Sequence, residues 1–245
     1  MGKKELYTLI KCFFRTYLIG SMFNTKGLQN FGLLYIMDPG LRLFYGDNLS
    51  EYKKARQRYL SHYNSHPYFL PLLVGYFLFI ESRISQKMIS PKALEAIKET
   101  SAYTLSAIGD SFFGGSLLVT WALAEVLFVL YGQKIWGLIF FIFSFLILQL
   151  FRFVIFWKGW SRGLAFFQQM KEINLIGWAN RLKIINGVLL VFVWYRISCL
   201  SKYDHLHFFL IGGIVISISS FLVYKNIISR ELLVVILVAG ILFFL

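Results

Sequence analysis

An all-α integral membrane protein is what this sequence predicts, and three observations carry that expectation. Hydrophobic residues fill 58% of the 245 positions and charged residues 15%, with a mean hydropathy of +0.64, a balance foreign to soluble domains of this length. Several separate apolar runs of 17 to 26 residues recur along the chain; a soluble core could hide one of them, but not all. The basic residues collect in alternate connections between those runs, as the positive-inside rule requires of a multi-pass protein.

Residues 1–66 read as a polar region on the cytoplasmic side. The first 60 residues carry ten basic and four acidic side chains. Apolar residues recur at helical intervals through Leu6 to Ile19 and Leu28 to Leu43, which predicts amphipathic helices lying against the bilayer or a partner. Asp38-Pro39-Gly40 is expected to break the second of these, since proline disfavours helix at the residue before it and glycine is free to turn. Lys11, Arg15 and Lys26 interrupt the N-terminal apolar stretch and no small-residue cleavage site follows, so a cleaved signal peptide is not expected. Position 6 is Leu, where a myristoylation signal has Ser or Thr.

Residues 67–245 read as the membrane domain. PYFLPLLVGYFLFI, residues 67–80, has 14 residues and would reach about 21 Å as a helix, short of the roughly 30 Å hydrocarbon core. A re-entrant or interfacial helix is expected there, with Pro67 ending one helix and starting the next. Membrane crossings are expected near 105–130, 135–157, 184–200, 206–224 and 232–245, about four or five in all. Gly109, Asp110, Gly114 and Gly115 near the start of the first predict a broken helix or a hairpin lining a cavity. With the N-terminus cytoplasmic, segments 1–66, 81–104, 158–183 and 225–231 hold 21 of the 25 basic residues, and the opposite connections 131–134 and 201–205 hold one each.

The net charge of +13 is accounted for by that orientation signal. No compact basic patch alternates with aromatics as RNA-binding surfaces do, so nucleic acid is not an expected partner. Cys12 and Cys199 have no CxxC or CxxH companion, so neither a disulfide framework nor a metal site is indicated. His62 and His66 stand four apart, a metal-binding spacing on a helix, but Pro67 ends the helix and no third ligand is near. No nucleophile–base pair and no phosphate-cradling GxxxxGK[ST] loop occurs. No catalytic residue, metal or cofactor is therefore expected. At membrane depth the ionisable residues are Asp110, Glu125, Arg152 and Arg196, and charges there face cavities or pair with one another. For Asp110 the choice lies between a functional role and capping a helix that begins near Phe112. Glu125 is expected to pair with a neighbouring helix. Arg152 either snorkels to headgroups or contacts a substrate or partner.

Taken in order, the motifs resemble the IID membrane subunit of the mannose/fructose/sorbose family of sugar phosphotransferase systems. FRTYLIGSMFN, Phe14 to Asn24, is similar to the family's FLRSxxxQxxWN, with Arg15 and Asn24 in register; Gln29, Gly32, Met37, Pro39 and Tyr45 continue the pattern. RYLSHYNSHPYF, Arg58 to Phe69, is similar to RHLEFFNTHPYF, matching Arg58, Leu60, Asn64, His66, Pro67, Tyr68 and Phe69. Lys98 and LSAIGDSFF carry the next stretch, with Gly109, Asp110, Ser111 and Phe113 in register. GWSRG supplies Gly159 and Gly163, and Arg152 falls on an arginine of the preceding helix. Gly20, Phe23, Gly114 and Phe145 stand where the family has glutamine, tryptophan, tryptophan and asparagine.

The resemblance implies a subunit of the bacterial cytoplasmic membrane, N-terminus inside, that pairs with a IIC membrane subunit in trimeric assemblies. It implies cytoplasmic IIA and IIB phosphocarriers, a hexose or amino sugar phosphorylated by IIB as it enters, and no phosphorylated residue on this chain. Asn64, His66, Asp110, Ser111 and Arg152 are the expected residues of the translocation path or its hinges; Arg15, Asn24, Arg58, Pro67, Lys98, Gly109, Gly159 and Gly163 are further motif positions. The missing family residues leave a second expectation open, a non-transporting structural or regulatory partner of a IIC-like protein.

Overall fold

The computed structural model describes residues 2–200 and 205–225, together with Ile227, Ser229 and Leu232. The expected crossing at 232–245 lies, beyond Leu232, outside the described residues. Among the described residues the regular structure is helical: α1 (Lys3–Arg15), α2 (Asn30–Tyr45), α3 (Leu49–Gln57), α4 (Leu70–Ser85), α5 (Pro91–Gly109), α6 (Leu118–Leu130), α7 (Lys134–Arg162), α8 (Leu164–Glu172), α9 (Leu175–Leu200) and α10 (His205–Tyr224). Local signals set many of the ends. The Asn48 side chain caps α3 by accepting from the Glu51 amide; Pro91 opens α5, where a missing N–H costs nothing. Gly132, at φ 72°, turns the chain from α6 into α7.

Among the described residues three helices are long and apolar enough to cross a membrane: Pro91–Leu130, Lys134–Arg162 and Leu175–Leu200. α10 adds a shorter apolar stretch, Phe209–Ser219. The first is one continuous helix of 40 residues, about 60 Å long and twice the hydrocarbon thickness. Its first half carries Lys92, Glu95, Lys98 and Glu99, so the apolar crossing falls in the second half. The outward faces of α6, α7 and α9 are lined by exposed Phe, Ile, Leu and Val, the pattern of helices whose solvent is lipid.

Several expectations are corrected. Pro39 does not break α2, which runs through it to Tyr45. The proline leaves the Tyr35 carbonyl, four residues back, without its α-helical donor, and the Arg15 guanidinium supplies one at 2.7 Å. The 105–130 segment is neither broken nor a hairpin. It accommodates its glycines by widening into a π-helical turn, Asp110–Leu117, and then continues as α6. Asp110 is therefore in mid-helix and caps nothing near Phe112.

The short apolar segment after Pro67 lies inside the protein. It forms α4, and 12 of the helix's 16 residues are buried: α4 is the centre of the protein core, packed along α7 and against α2, α1 and α5. The α4–α7 crossing is backbone on backbone. A Cβ at Gly159 would stand 2.5 Å from the Leu72 carbonyl and 3.1 Å from the Tyr76 amide, and a Cβ at Gly75 would meet the Phe156 carbonyl and, at 3.0 Å, the Trp160 amide. Just beyond, Gly163 ends α7 at φ 55°, with the Phe79 ring 2.8 Å from where its Cβ would be.

Candidate functional site

Two loops, 23–30 and 58–69, form the platform of the site, and amide side chains lace them together. Asn24 accepts from the Gly27 amide at 2.7 Å and donates to Asn30 Oδ1 at 2.8 Å. Asn30 donates across to the Leu60 carbonyl at 2.7 Å. Gln29 makes a two-way clasp with Ser65, accepting from its amide at 3.0 Å and donating to its carbonyl at 3.2 Å. With the backbone so satisfied, the chain from Arg58 to Phe69 needs no helix, and it has none. His62 and His66 consequently do not share a helical face. His62 is exposed at a cleft of about 440 Å³ beside Lys98 and Glu99.

That extended segment carries His66 onto the start of the π turn. The imidazole lies where a Cβ of Gly109 would be, so the glycine is what admits it. The ring stacks on Phe113 at 5.3 Å and 12°, and on Tyr68 at 5.7 Å and 28°; Tyr68 and Phe113 are themselves 4.7 Å apart. Burial pushes the imidazole below the ordinary histidine value, and Asp110 opposes the shift. Asp110 is exposed, Ser111 and Asn64 are half-buried, and Pro67 is exposed. The structure thus brings His66, Gly109 and Asp110 together, with an aromatic wall behind them.

Arg152 is placed elsewhere. It does not snorkel: it is 8% exposed, held beneath Tyr17 with Cζ 3.8 Å from the ring centroid and donating to Thr16 Oγ1 at 3.3 Å. Tyr17 in turn donates to Gln149 Oε1 at 2.8 Å. Arg152 Nε is buried without a partner. At 1.5 Å per residue, Arg152 lies about 27 Å and Asp110 about 30 Å from the α6–α7 turn, so the two share one depth. Glu125 lies near the other end, bonded by the Trp121 indole at 3.2 Å in its own helix; among the described residues no cation pairs with it. Arg196 reaches the C-terminus of α6, donating to the Leu130 carbonyl at 3.3 Å, where a cation suits the helix dipole.

Two motif positions turn out to be structural. Arg58 and Glu81, with side chains 8% and 0% exposed, form a fork of two bonds at 3.1 Å and 2.6 Å. The Tyr45 and Tyr59 hydroxyls donate to the same carboxylate at 2.7 Å and 2.9 Å. Burial, then the Glu81 charge, pushes both phenols above their ordinary value, so both remain donors. Lys98, 4% exposed, donates to the Arg58 carbonyl and, at 2.6 Å, to Ser61 Oγ. Sequence reasoning missed Glu81, and it missed Ser116, Thr120 and Asn186, which join the π turn to α9.

Among the described residues no cluster of three metal-binding side chains occurs, and burial pushes the Cys12 thiol up to about 12, which leaves it inert. A cavity of about 530 Å³ between α4, α5, α8 and α9 is lined by Tyr76, Ile108, Phe167 and Met170 among others, and none of the five expected path residues is in that lining.

A helical, multi-pass membrane protein with polar side chains gathered at one depth is the class that this fold and site define. The chain belongs to the PTS system mannose/fructose/sorbose family IID component, which it matches over residues 5–193. It is 24% identical over 196 residues to the PTS system mannose-specific EIID component of Escherichia coli strain K12, covering 80% of this chain and 67% of that one. It is 29% identical over 119 residues to the fructose permease IID component of Bacillus subtilis strain 168, covering 48% and 42%. The matched part therefore spans about two-fifths to two-thirds of the length of these relatives. Two solved chains share the fold at 20% identity: one titled only as a membrane protein (TM-score 0.75, covering 98% of this chain and 96% of that one), and one from the mannose transporter ManYZ in complex with microcin E492 (TM-score 0.60, covering 98% and 95%).

Proposed function

We propose that this chain, with a IIC subunit, forms the path by which a hexose or amino sugar enters a bacterial cell, while IIB phosphorylates the arriving sugar. The observation that carries this is the meeting of His66, Gly109 and Asp110 at the π turn. A sugar needs directional donors and acceptors beside an aromatic surface, and this corner offers the Asp110 carboxylate, the imidazole, the nearby Ser111 hydroxyl and Asn64 amide, and the Tyr68–Phe113 wall. Arg152, at the same depth with a free Nε, is a second polar contact. In this arrangement residues 1–66 form the cytoplasmic part, residues 67–245 the membrane domain, and the basic cytoplasmic connections receive IIB. The subunit sits in the cytoplasmic membrane, N-terminus inside, in a trimeric assembly with IIC.

The test is phosphoenolpyruvate-dependent uptake of mannose, fructose and glucosamine by cells holding the complete system. Asp110→Asn and Asn64→Ala should each lower uptake of the transported sugar at unchanged subunit level; wild-type uptake from both would remove the site assignment. A second reading, a non-transporting partner of a IIC-like protein, is favoured by Gly114, which faces open space where the family pattern has a tryptophan. Co-purification with IIC and no sugar phosphorylation by the reconstituted complex would establish it.

A further inference from the structure

We infer that Asn186 is a positioning residue: it holds the π turn Asp110–Leu117 in register from α9, and so fixes where Asp110 presents its carboxylate. A π turn bonds i to i+5, which displaces carbonyls from their α-helical donors, and within a span no water replaces them. Here side chains take over. Ser116 Oγ lies 2.8 Å from the Ser111 carbonyl and 3.1 Å from the Ala179 carbonyl of α9. The Ser116 carbonyl accepts from Asn186 Nδ2 at 3.0 Å, and Asn186 Oδ1 accepts from Thr120 Oγ1 at 2.6 Å. The amide therefore spends one end on the turn and the other on Thr120, three residues past it in α6. Asn186 and Ser116 are 8% and 0% exposed, so the contact is dry. Within the turn, Gly114 and Gly115 have no side chains with which to brace it from its exposed side. The brace comes from a helix 70 positions along the chain.

This inference rests on the reading of Asp110 as a path residue, and the experiment separates the two. The complete transporter is prepared with Asn186→Leu, which keeps the bulk and loses the amide, with Asn186→Gln, which keeps the amide on a longer stem, and with Thr120→Val, which loses only the hydroxyl. Hydrogen exchange of the amides at 111–118 should rise about five- to tenfold in Asn186→Leu, the scale of one net hydrogen bond, less in Thr120→Val, and return most of the way in Asn186→Gln. The uptake KM should rise with little change in the maximal rate. Unchanged exchange at 111–118 in Asn186→Leu overturns the inference. So does a rise spread evenly along α6 and α9 that Asn186→Gln fails to reverse, since that is helix adhesion alone. Raised local exchange with a wild-type KM upholds the brace and removes Asp110 from the path.

Discussion

Glu81→Leu should be strongly destabilising to the protein core. The carboxylate is fully buried, yet it takes two bonds from Arg58 and one each from Tyr45 and Tyr59. Removing it leaves the Arg58 guanidinium, 8% exposed, with its charge uncompensated, which costs about 3–5 kcal/mol. The Tyr59 hydroxyl, on a fully buried residue, loses its acceptor as well, adding about 1–3 kcal/mol where the two losses are independent. For a chain of this length about 4 kcal/mol lowers the melting temperature by roughly 8–16 °C. Arg58→Met should cost comparably by stranding Glu81, whereas Arg58→Met with Glu81→Leu should cost much less than the sum, because neither charge then remains buried. Thermal unfolding of the four proteins in one detergent reads the cycle. If Glu81→Leu melts within 2 °C of the wild type, or if the double mutant simply adds the single losses, the buried pair is not what secures this region.

Arg15→Ala should cost about 1–3 kcal/mol by orphaning the Tyr35 carbonyl, and much less in a Pro39→Ala background, where residue 39 regains the N–H that carbonyl lacks; melting temperatures of the two pairs measure the difference. Gly159→Ala should destabilise by about 1–3 kcal/mol through overpacking, because the obstructing atoms are the main chain of α4; a denaturant midpoint equal to wild type would refute the close crossing. Because burial lowers the His66 value, the unfolded chain binds a proton that the folded one refuses, so stability should fall as the pH drops below about 6.5. Melting curves from pH 7.5 to 5 should show a smaller acid loss in His66→Gln than in the wild type.

Helix content and the three long apolar helices were legible because length, hydropathy and charge sidedness act through whole segments. The core was less so. The apolar run 67–80 stops one residue short of Glu81, the buried acceptor for an arginine 23 positions earlier, and no local pattern announces a partner so distant. Pro39 misled for the same reason: its rule is local, while Arg15 repairs the damage from another helix. The resemblance pointed to His66, Gly109 and Asp110, and the structure adds why the middle one is glycine. Asn186 passed unnoticed because one amide in an apolar stretch has no periodicity, and its meaning lies entirely in the π turn it faces.

The crossing of α4 and α7 has a consequence for how this sequence can vary. Where a large side chain fills a gap, a neighbour can shrink to accommodate a change, and paired substitutions open routes between sequences. At Gly75 and Gly159 the opposing atoms are Phe156, Trp160, Leu72 and Tyr76 backbone, which every amino acid shares. Shortening the side chains at those four positions leaves these backbone atoms in place, relieving only the 3.2 Å approach of Leu72 Cδ1 to Gly159, so a library that varies the four positions should still recover glycine at 75 and 159.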